Sequence, residues 1–373
     1  MIARNGIESL LRRIVDAENP NPGVRLVRAV LACCAAGYGW LVGARNAGYD
    51  RGVFRIHRLP CRVVSVGNLT VGGTGKTPTV MALARSLSAA GARPCILIRG
   101  YGGTGRGVRE VSNGRTVRSD WREVGDEAVL LAETLPGVPV IAGGDRVAAG
   151  RFAIERFRPD VILLDDGFQH RRIFREVDLV LVDATDPFGG GWLLPRGRLR
   201  EPVAGLRRAH AILVTRVDQG ADPERVRDRI GAAAPGRPIG MAVYRPCALR
   251  RVADGDRVAV GEMRGKRVLA LSGIANPRAF HRTLEGLGAV VADRLAFPDH
   301  HPFGPGDRRR IGEAAGAVRA DWIVTTEKDA VRLGVDWRPG CPVLAVEIVL
   351  DIVSGADRLS AALGVPLGGA EHG

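Results

Sequence analysis

Lysine is almost missing from this chain. Only Lys76, Lys266 and Lys328 occur among 373 residues, so the formal net charge of +14 rests almost wholly on arginine. A strong positive charge points to nucleic acid, an anionic membrane or a phosphorylated substrate. Zinc-ligand spacing, an RNA-recognition motif and an aromatic-interleaved basic stripe are all absent, which argues against a reader of nucleic acid. The six cysteines (33, 34, 61, 95, 247 and 341) are scattered, mostly in apolar runs. They read as buried thiols in a reducing compartment, not as a disulfide framework. No repeat, low-complexity tract or secretory signal with a clear cleavage site stands out. What is present is 46% hydrophobic content and abundant glycine and alanine, in a chain long enough for two domains with cores of their own.

The first sixty residues differ from the rest. Ile7, Leu10, Leu11 and Ile14 recur at helical spacing before Asn19-Pro20-Asn21-Pro22-Gly23 breaks the pattern. Ala29–Ala44 then carries no charge, between Arg25 and Arg28 on one side and Arg45 on the other. These sixteen residues fall short of the roughly 20 that span a bilayer. Two readings stay open: a core helix, or a segment in a membrane interface, which Tyr38 and Trp40 beside arginines favour.

From residue 61 onward short β-rich runs alternate with helical stretches, the pattern of a parallel sheet covered by helices on both faces. Strands are expected at 62–66, 95–99, 138–141, 161–164, 179–182 and 211–214. An alternating, arginine-rich stretch around an Asp254-Gly255 turn reads as a β-hairpin. Strands at 268–271, 289–292, 322–325 and 343–348 follow. The expected organisation is an N-terminal segment at 1–60, a phosphate-loop domain at 61–238, a hairpin linker at 239–262 and a second, smaller α/β domain at 263–373.

Thr70-Val71-Gly72-Gly73-Thr74-Gly75-Lys76-Thr77 lies between an apolar strand-like run and a helix-like run. That context suits a phosphate cradle, with glycines turning backbone N–H groups toward one point at the positive end of a helix. Lys76 would reach the β- and γ-phosphates of a nucleotide, and the Thr77 hydroxyl would hold Mg²⁺. The general pattern wants glycine where this chain has Thr70; the bland alternative is a flexible glycine-rich turn.

Asp165 and Asp166 end an apolar strand, a costly pairing unless a cation sits between them. Gln169, His170, Arg171 and Arg172 follow as possible donors for an anionic substrate. Gly125-Asp126-Glu127 by itself is a helix start with favourable acids, although Asp126 could take a proton from a hydroxyl. Arg196, Arg198 and Arg200 surround Glu201 in a loop-like segment, where Glu201 could reach a metal. Asp299-His300-His301 suits a His–Asp partnership better than zinc, since adjacent histidines point apart. Thr325-Thr326-Glu327-Lys328-Asp329 and Thr215-Arg216-Val217-Asp218 superficially match nucleotide-base-reading loops; a threonine-capped helix start is the bland reading of the first.

Seven motifs occur in order: S-V-G-N-L-T-V-G-G-T-G-K-T-P (65–78), R-G-Y-G (99–102), G-D-E (125–127), D-D-G-F-Q-H (165–170), L-R-E-P (199–202), D-H-H (299–301) and T-T-E-K-D-A-V (325–331). Over nearly its whole length the chain resembles the tetraacyldisaccharide 4′-kinase family, the lipid A 4′-kinases of Gram-negative bacteria, whose loop shares the Thr70 departure. The resemblance implies transfer of the ATP γ-phosphate to the 4′-hydroxyl of an acylated glucosamine disaccharide 1-phosphate. It implies ATP contacts from Thr70 to Thr77, phosphate binding by Lys76, and Mg²⁺ held by Thr77 with the acidic set Asp165, Asp166 and Glu201. It also implies Asp126 as the base with His300 as its partner, and substrate contacts from Gln169 and Arg200. Two α/β domains joined by a two-stranded linker are implied as well. A four-chain lipid substrate and ATP place such an enzyme on an anionic bilayer surface, at the cytoplasmic face of the inner membrane. Residues 29–44 then read as an interfacial element. The runner-up is a phosphate-loop GTPase or ATPase of the metallochaperone or targeting class.

Overall fold

The computed structural model describes residues 21–220, 222–274, 276–365 and 367. The expected periodicity at Ile7 to Ile14 lies outside these residues. The chain opens with helix α1 (Pro22–Asp50), then strand β1 (Arg62–Asn68), α2 (Lys76–Ala89), β2 (Pro94–Ile98) and β3 (Arg109–Asn113). Next come α3 (Trp121–Val124), α4 (Asp126–Thr134), β4 (Pro139–Ala142), α5 (Arg146–Phe157), β5 (Val161–Asp165), β6 (Val177–Asp183), β7 (Ala211–Thr215) and α6 (Pro223–Ala233). The last stretch comprises β8 (Ile239–Arg251), β9 (Arg257–Val258), β10 (Arg267–Ser272), α7 (Pro277–Gly286), β11 (Val290–Ala296), α8 (Pro305–Ala317), β12 (Trp322–Thr326), α9 (Glu327–Leu333), β13 (Val343–Ser354) and α10 (Ala356–Leu363).

Two units divide the chain. One holds the described residues up to Arg93, Ile154–Val243 and the segment from Ile352; the other holds Pro94–Ala153 and Tyr244–Asp351. The sequence suggested contiguous domains, whereas Pro94–Ala153 groups with the later half of the chain. The reason is packing: α4 lies against α9, and Asp126 at the start of α4 faces Arg332 of α9. Strands β8 and β13 each begin in one unit and end in the other.

In the first unit β5, β1, β6, β7 and the start of β8 pair in that order, all parallel. These strands read as unbroken apolar runs because both faces are covered, as in parallel sheets generally. In the second unit β10 shows the alternation directly. Leu269 and Leu271 pack with Ile311 of α8 and Leu333 of α9, while Val268 and Ala270 pack with Phe280 and Leu284 of α7. An antiparallel pair does flank Asp254-Gly255, with Gly255 at φ +83°, but its first arm is Leu249–Arg250 and not the expected 241–244, where Met241 and Ala242 pair in parallel with β7.

Helix α1 runs 29 residues from a proline in its first turn, capped by Asn21. It is long and apolar enough to cross a membrane by length and composition, so the uncharged stretch is embedded in a longer helix than its sixteen residues suggested. Only Ala35 and Tyr49 of α1 are buried, while Leu26, Val30, Trp40 and Leu41 stand exposed. It is therefore not a core helix of its unit. The same exposure corrects the reading of the cysteines: Cys33 and Cys34 lie open on α1 and Cys247 is exposed, leaving Cys95 as the buried thiol.

Candidate active site

In the first unit, β1 delivers the glycine loop and α2 receives it. Gly75 is the N-cap of α2 in the left-handed region, φ +86°, where a side chain would be strained. No side chain caps the helix; Pro78 has no N–H and Thr79 N–H donates to Gly75 O at 3.2 Å, so the amides of Lys76 and Thr77 are the first-turn donors available to an anion. Gly67 is required for another reason: a Cβ there would lie 2.8 Å from the backbone nitrogen of Phe168, which closes the Asp165-Asp166 turn over β1.

The loop is walled on two sides. Val71 N–H donates to Arg198 O at 2.8 Å and Arg200 N–H to Leu69 O at 2.7 Å, a strand-like bridge along one edge. On the other, the Thr215 hydroxyl donates to Thr74 O at 3.1 Å and Arg216 to Gly73 O at 2.7 Å. With its carbonyls turned to outside donors, the loop can present amides to a phosphate. Lys76 Nζ lies 3.3 Å from Asn68 Oδ1 and 3.7 Å from Asp166 Oδ1.

Asp165 is buried at the end of β5, and Asp166 follows with φ +55°. Arg200 grips both oxygens of Asp166, at 2.8 and 2.9 Å, and also donates to Thr70 O and Asn68. Gln169 donates to Asn68 O and to Glu201, at 2.9 and 2.8 Å. Arg200 and Gln169 thus both hydrogen-bond to the loop and its neighbours.

Glu201 is 1% exposed and accepts from Arg208 at 2.6 Å, from Gln169 and from Asn46 at 3.4 Å. Glu201 and Asp166 thus both have their carboxylates partnered by arginine. Among the described residues no group of three or more His, Cys, Asp or Glu side chains could hold a metal ion alone. Mg²⁺ needs less than that, keeping waters and phosphate oxygens beside one or two protein oxygens. Thr77 in the first turn of α2 and the acids ending β5 supply hard oxygens of that kind, so this end of the loop fits the ion.

Helix α1 is tied to these same residues. The Tyr38 hydroxyl donates to Arg200 O at 2.8 Å, Arg45 donates to Gln169 O, and Arg171 reaches Asn46 O and Asp50 at 3.0 and 2.6 Å. Tyr38 therefore faces the loop, whereas Trp40 is 73% exposed.

The second unit holds the other cluster. Asp126 opens α4 after Gly125 and is 3% exposed, its Oδ1 accepting from Glu127 N–H at 2.9 Å. His300 Nδ1 lies 3.1 and 3.0 Å from the two Asp126 oxygens, and Arg332 Nε 3.3 Å from Oδ2. Burial works to raise the Asp126 pKa, but the His300 hydrogen bond and the charges of Lys328, His300 and Arg332 outweigh it and hold the carboxyl below its ordinary value. His300 has φ +59°, rare for a non-glycine residue, and its ring lies 5.7 Å from that of Tyr101. His301 points elsewhere, stacked on Phe297 and 2.9 Å from Asp307. The two rings point apart, as adjacent histidines do, and each meets an aspartate, Asp126 for His300 and Asp307 for His301.

The two guanine-loop candidates do other things. Arg216 pairs with Asp183 and holds the glycine loop, while Thr326 caps α9 by accepting from Asp329 N–H at 3.1 Å. Lys328 and Arg332 were not singled out in the sequence as partners of Asp126 and His300. Their i,i+4 spacing just beyond a strand, and the rarity of lysine in this chain, were the available signals.

The sequence profile described as "Tetraacyldisaccharide-1-P 4'-kinase" matches residues 27–364. The chain belongs to this family. It is 47% identical to the tetraacyldisaccharide 4′-kinase of Syntrophus aciditrophicus over 298 residues, 78% of this chain and 80% of that one. It is 42% identical to the enzyme of Anaeromyxobacter sp. strain K, covering 98% of this chain and 97% of that one. A crystal structure of Aquifex aeolicus LpxK in complex with ATP superposes with a TM-score of 0.76 at 31% identity, covering 91% of this chain and 98% of that one. The tetraacyldisaccharide 4′-kinase fold is thus the fold of this chain, a mostly parallel α/β arrangement around a phosphate loop.

Proposed function

We propose that this protein is an ATP-dependent tetraacyldisaccharide 4′-kinase of lipid A biosynthesis, moving the γ-phosphate to the 4′-hydroxyl of an acylated glucosamine disaccharide 1-phosphate. The observation that carries this reading is Asp126, a buried carboxylate kept ionised against His300. Such a carboxylate can take the proton of an attacking hydroxyl, and the family match over residues 27–364 supports reading that hydroxyl as a sugar's and not water's. The loop from Thr70 to Thr77 binds the triphosphate through its amides, and Lys76 leaves Asn68 and Asp166 to meet the β- and γ-phosphates. Thr77 with Asp165 and Asp166 would hold Mg²⁺, which would neutralise charge on the phosphates. Asp126 accepts the 4′-hydroxyl proton, and His300 orients the carboxylate by donating from Nδ1. Glu201 joins the acidic set at this end of the loop, and Arg200 and Gln169, which hydrogen-bond to the loop and its neighbours, also meet the lipid substrate.

Helix α1 supports a location at an anionic bilayer surface on the cytoplasmic face, where both ATP and an acylated substrate are met. Its exposed Leu26, Val30, Trp40 and Leu41 give it apolar surface to bury. The test is an Asp126→Ala enzyme: it keeps ATP affinity and loses transfer to lipid. Normal transfer by that variant would remove Asp126 from the chemistry.

A further inference from the structure

Trp192 is a large exposed side chain that the reading above leaves unused. It lies in a closed loop between β6 and β7. There Leu194 N–H donates to Leu199 O at 2.9 Å, Leu199 N–H to Trp192 O at 3.1 Å and Gly197 N–H to Leu193 O at 2.9 Å. Glycine is required at 197, since a Cβ there would collide with Trp192 O. The backbone of Trp192 is extended, φ −110° and ψ 145°, so its side chain and that of Leu193 leave on opposite sides. Leu193 turns inward and packs on the core around Leu69, Phe168 and Leu199. It also meets α1, where a Cβ on Gly39 would lie 2.6 Å from its Cδ1. Trp192 turns outward and is 46% exposed. The exposed Trp40 follows Gly39, so the two tryptophans are each one residue removed from the same contact between loop and helix. Arg196 folds back over the loop, its guanidinium 3.3 Å from the centroid of the Trp192 ring. Stacking covers the guanidinium face and leaves its N–H edge for an oxyanion. The next two arginines are engaged, Arg198 with Asp186 and Arg200 with Asp166. Among the described residues Arg196 has no carboxylate partner.

Resting on the bilayer reading of α1 above, we propose that Trp192 and Arg196 form a second contact with an anionic bilayer surface, beside α1. An indole suits the boundary between acyl chains and headgroups, and a stacked arginine next to it suits the lipid phosphates. A single helix fixes an axis and leaves the body free to turn about it. A second point of contact next to Gly39 removes that freedom. The loop runs straight on into Arg198, whose carbonyl accepts from Val71 N–H, and into Arg200, whose N–H donates to Leu69 O. The turn that it fixes is therefore that of the phosphate-loop wall above the lipid surface.

The experiment is tryptophan quenching in the full chain bound to phosphatidylcholine/phosphatidylglycerol vesicles, with acyl chains brominated either near the headgroup or near the bilayer centre. Trp40→Phe removes the indole of α1. In that variant the emission is quenched more by the shallow bromines than by the deep ones, and the quenching is lost in Trp40→Phe/Trp192→Phe. Trp192→Phe alone loses part of the wild-type quenching, so the assignment does not depend on the double variant folding. Arg196→Gln lowers partition onto the phosphatidylglycerol vesicles about fivefold and leaves partition onto pure phosphatidylcholine unchanged. Quenching that is absent in Trp40→Phe, or that survives the loss of Trp192, overturns the proposal. So does an Arg196→Gln effect that is nil or the same on both vesicles. A wild type that binds neither vesicle overturns the bilayer reading of α1 together with this proposal. A wild type that binds with Trp192 unquenched overturns this proposal alone.

Discussion

Nδ1 of His300 lies 3.0 Å from Oδ2 of Asp126, although the two residues are 174 positions apart in sequence. Asp126 opens helix α4 and His300 sits in the turn between β11 and α8, held at φ +59°. A backbone conformation that disfavours side chains persists where surrounding structure over-determines it. Here the ring is held by Asp126 at one nitrogen and by Lys328 at the other.

Removing the carboxylate tests its role. Asp126→Ala and Asp126→Asn should lower kcat by roughly 10²–10⁴-fold, the usual contribution of a general base. KM for ATP should stay within about twofold, since ATP is assigned to the loop and not to this cluster. His300→Ala should lower kcat less, as it acts through Asp126. Steady-state kinetics at saturating lipid separates these outcomes.

Lys76 is the corresponding test of the loop. Phosphoryl transfer depends mainly on positioning and charge neutralisation, so Lys76→Ala should nearly abolish turnover. Its side chain carries little of the core, and thermal unfolding should shift by no more than a few degrees. A variant that is folded and active would contradict the assignment.

Arg332 bears on stability. It is fully buried, pairs with Asp329 and Asp126, and donates to the carbonyls of His301 and Gly273 at 3.0 Å. Arg332→Met leaves two buried carboxylates without that cation and should destabilise the protein by about 3–5 kcal/mol in urea unfolding.

The pKa directions give the pH dependence its sign. Asp126 lies below its ordinary 3.8 in the folded protein, so its stabilisation is present above that pH and is lost as pH falls through the lower, folded value. Lys328 is raised above 10.5, so its contribution is present below that pH and is lost as pH rises through the higher value. Urea melts of Asp126→Asn should show a shallower acid slope below about pH 4 than the wild type. Equal slopes would mean that the carboxyl is not perturbed.

Much of this architecture was legible because local and global signals agree. Every strand expected from an apolar run is present, from β1 at Arg62–Asn68 to β13 at Val343–Ser354. The missing one, β3 at Arg109–Asn113, is a mostly polar strand pairing antiparallel on β4, and its residues carry no apolar run to betray it. The phosphate loop was readable because its chemistry is contiguous. The contacts of Arg200 and Gln169 with Asn68, Thr70 and Asp166 were not, since a local pattern does not show which distant groups a side chain meets. Lys328 and Arg332 depend on α9 packing against α4, a contact between distant segments that no local pattern encodes. Residues 29–44 pointed to an apolar segment, but only the exposure of Trp40 and Leu41 removed the core-helix reading.

The most direct test of the account is a single assay. The protein is incubated with γ-labelled ATP and a tetraacyl disaccharide 1-phosphate in mixed micelles, and the lipid is extracted and counted. The account predicts label at the 4′ position of the lipid, absent with Lys76→Ala and strongly reduced with Asp126→Ala. Steady ATP or GTP hydrolysis with no label in the lipid would contradict it.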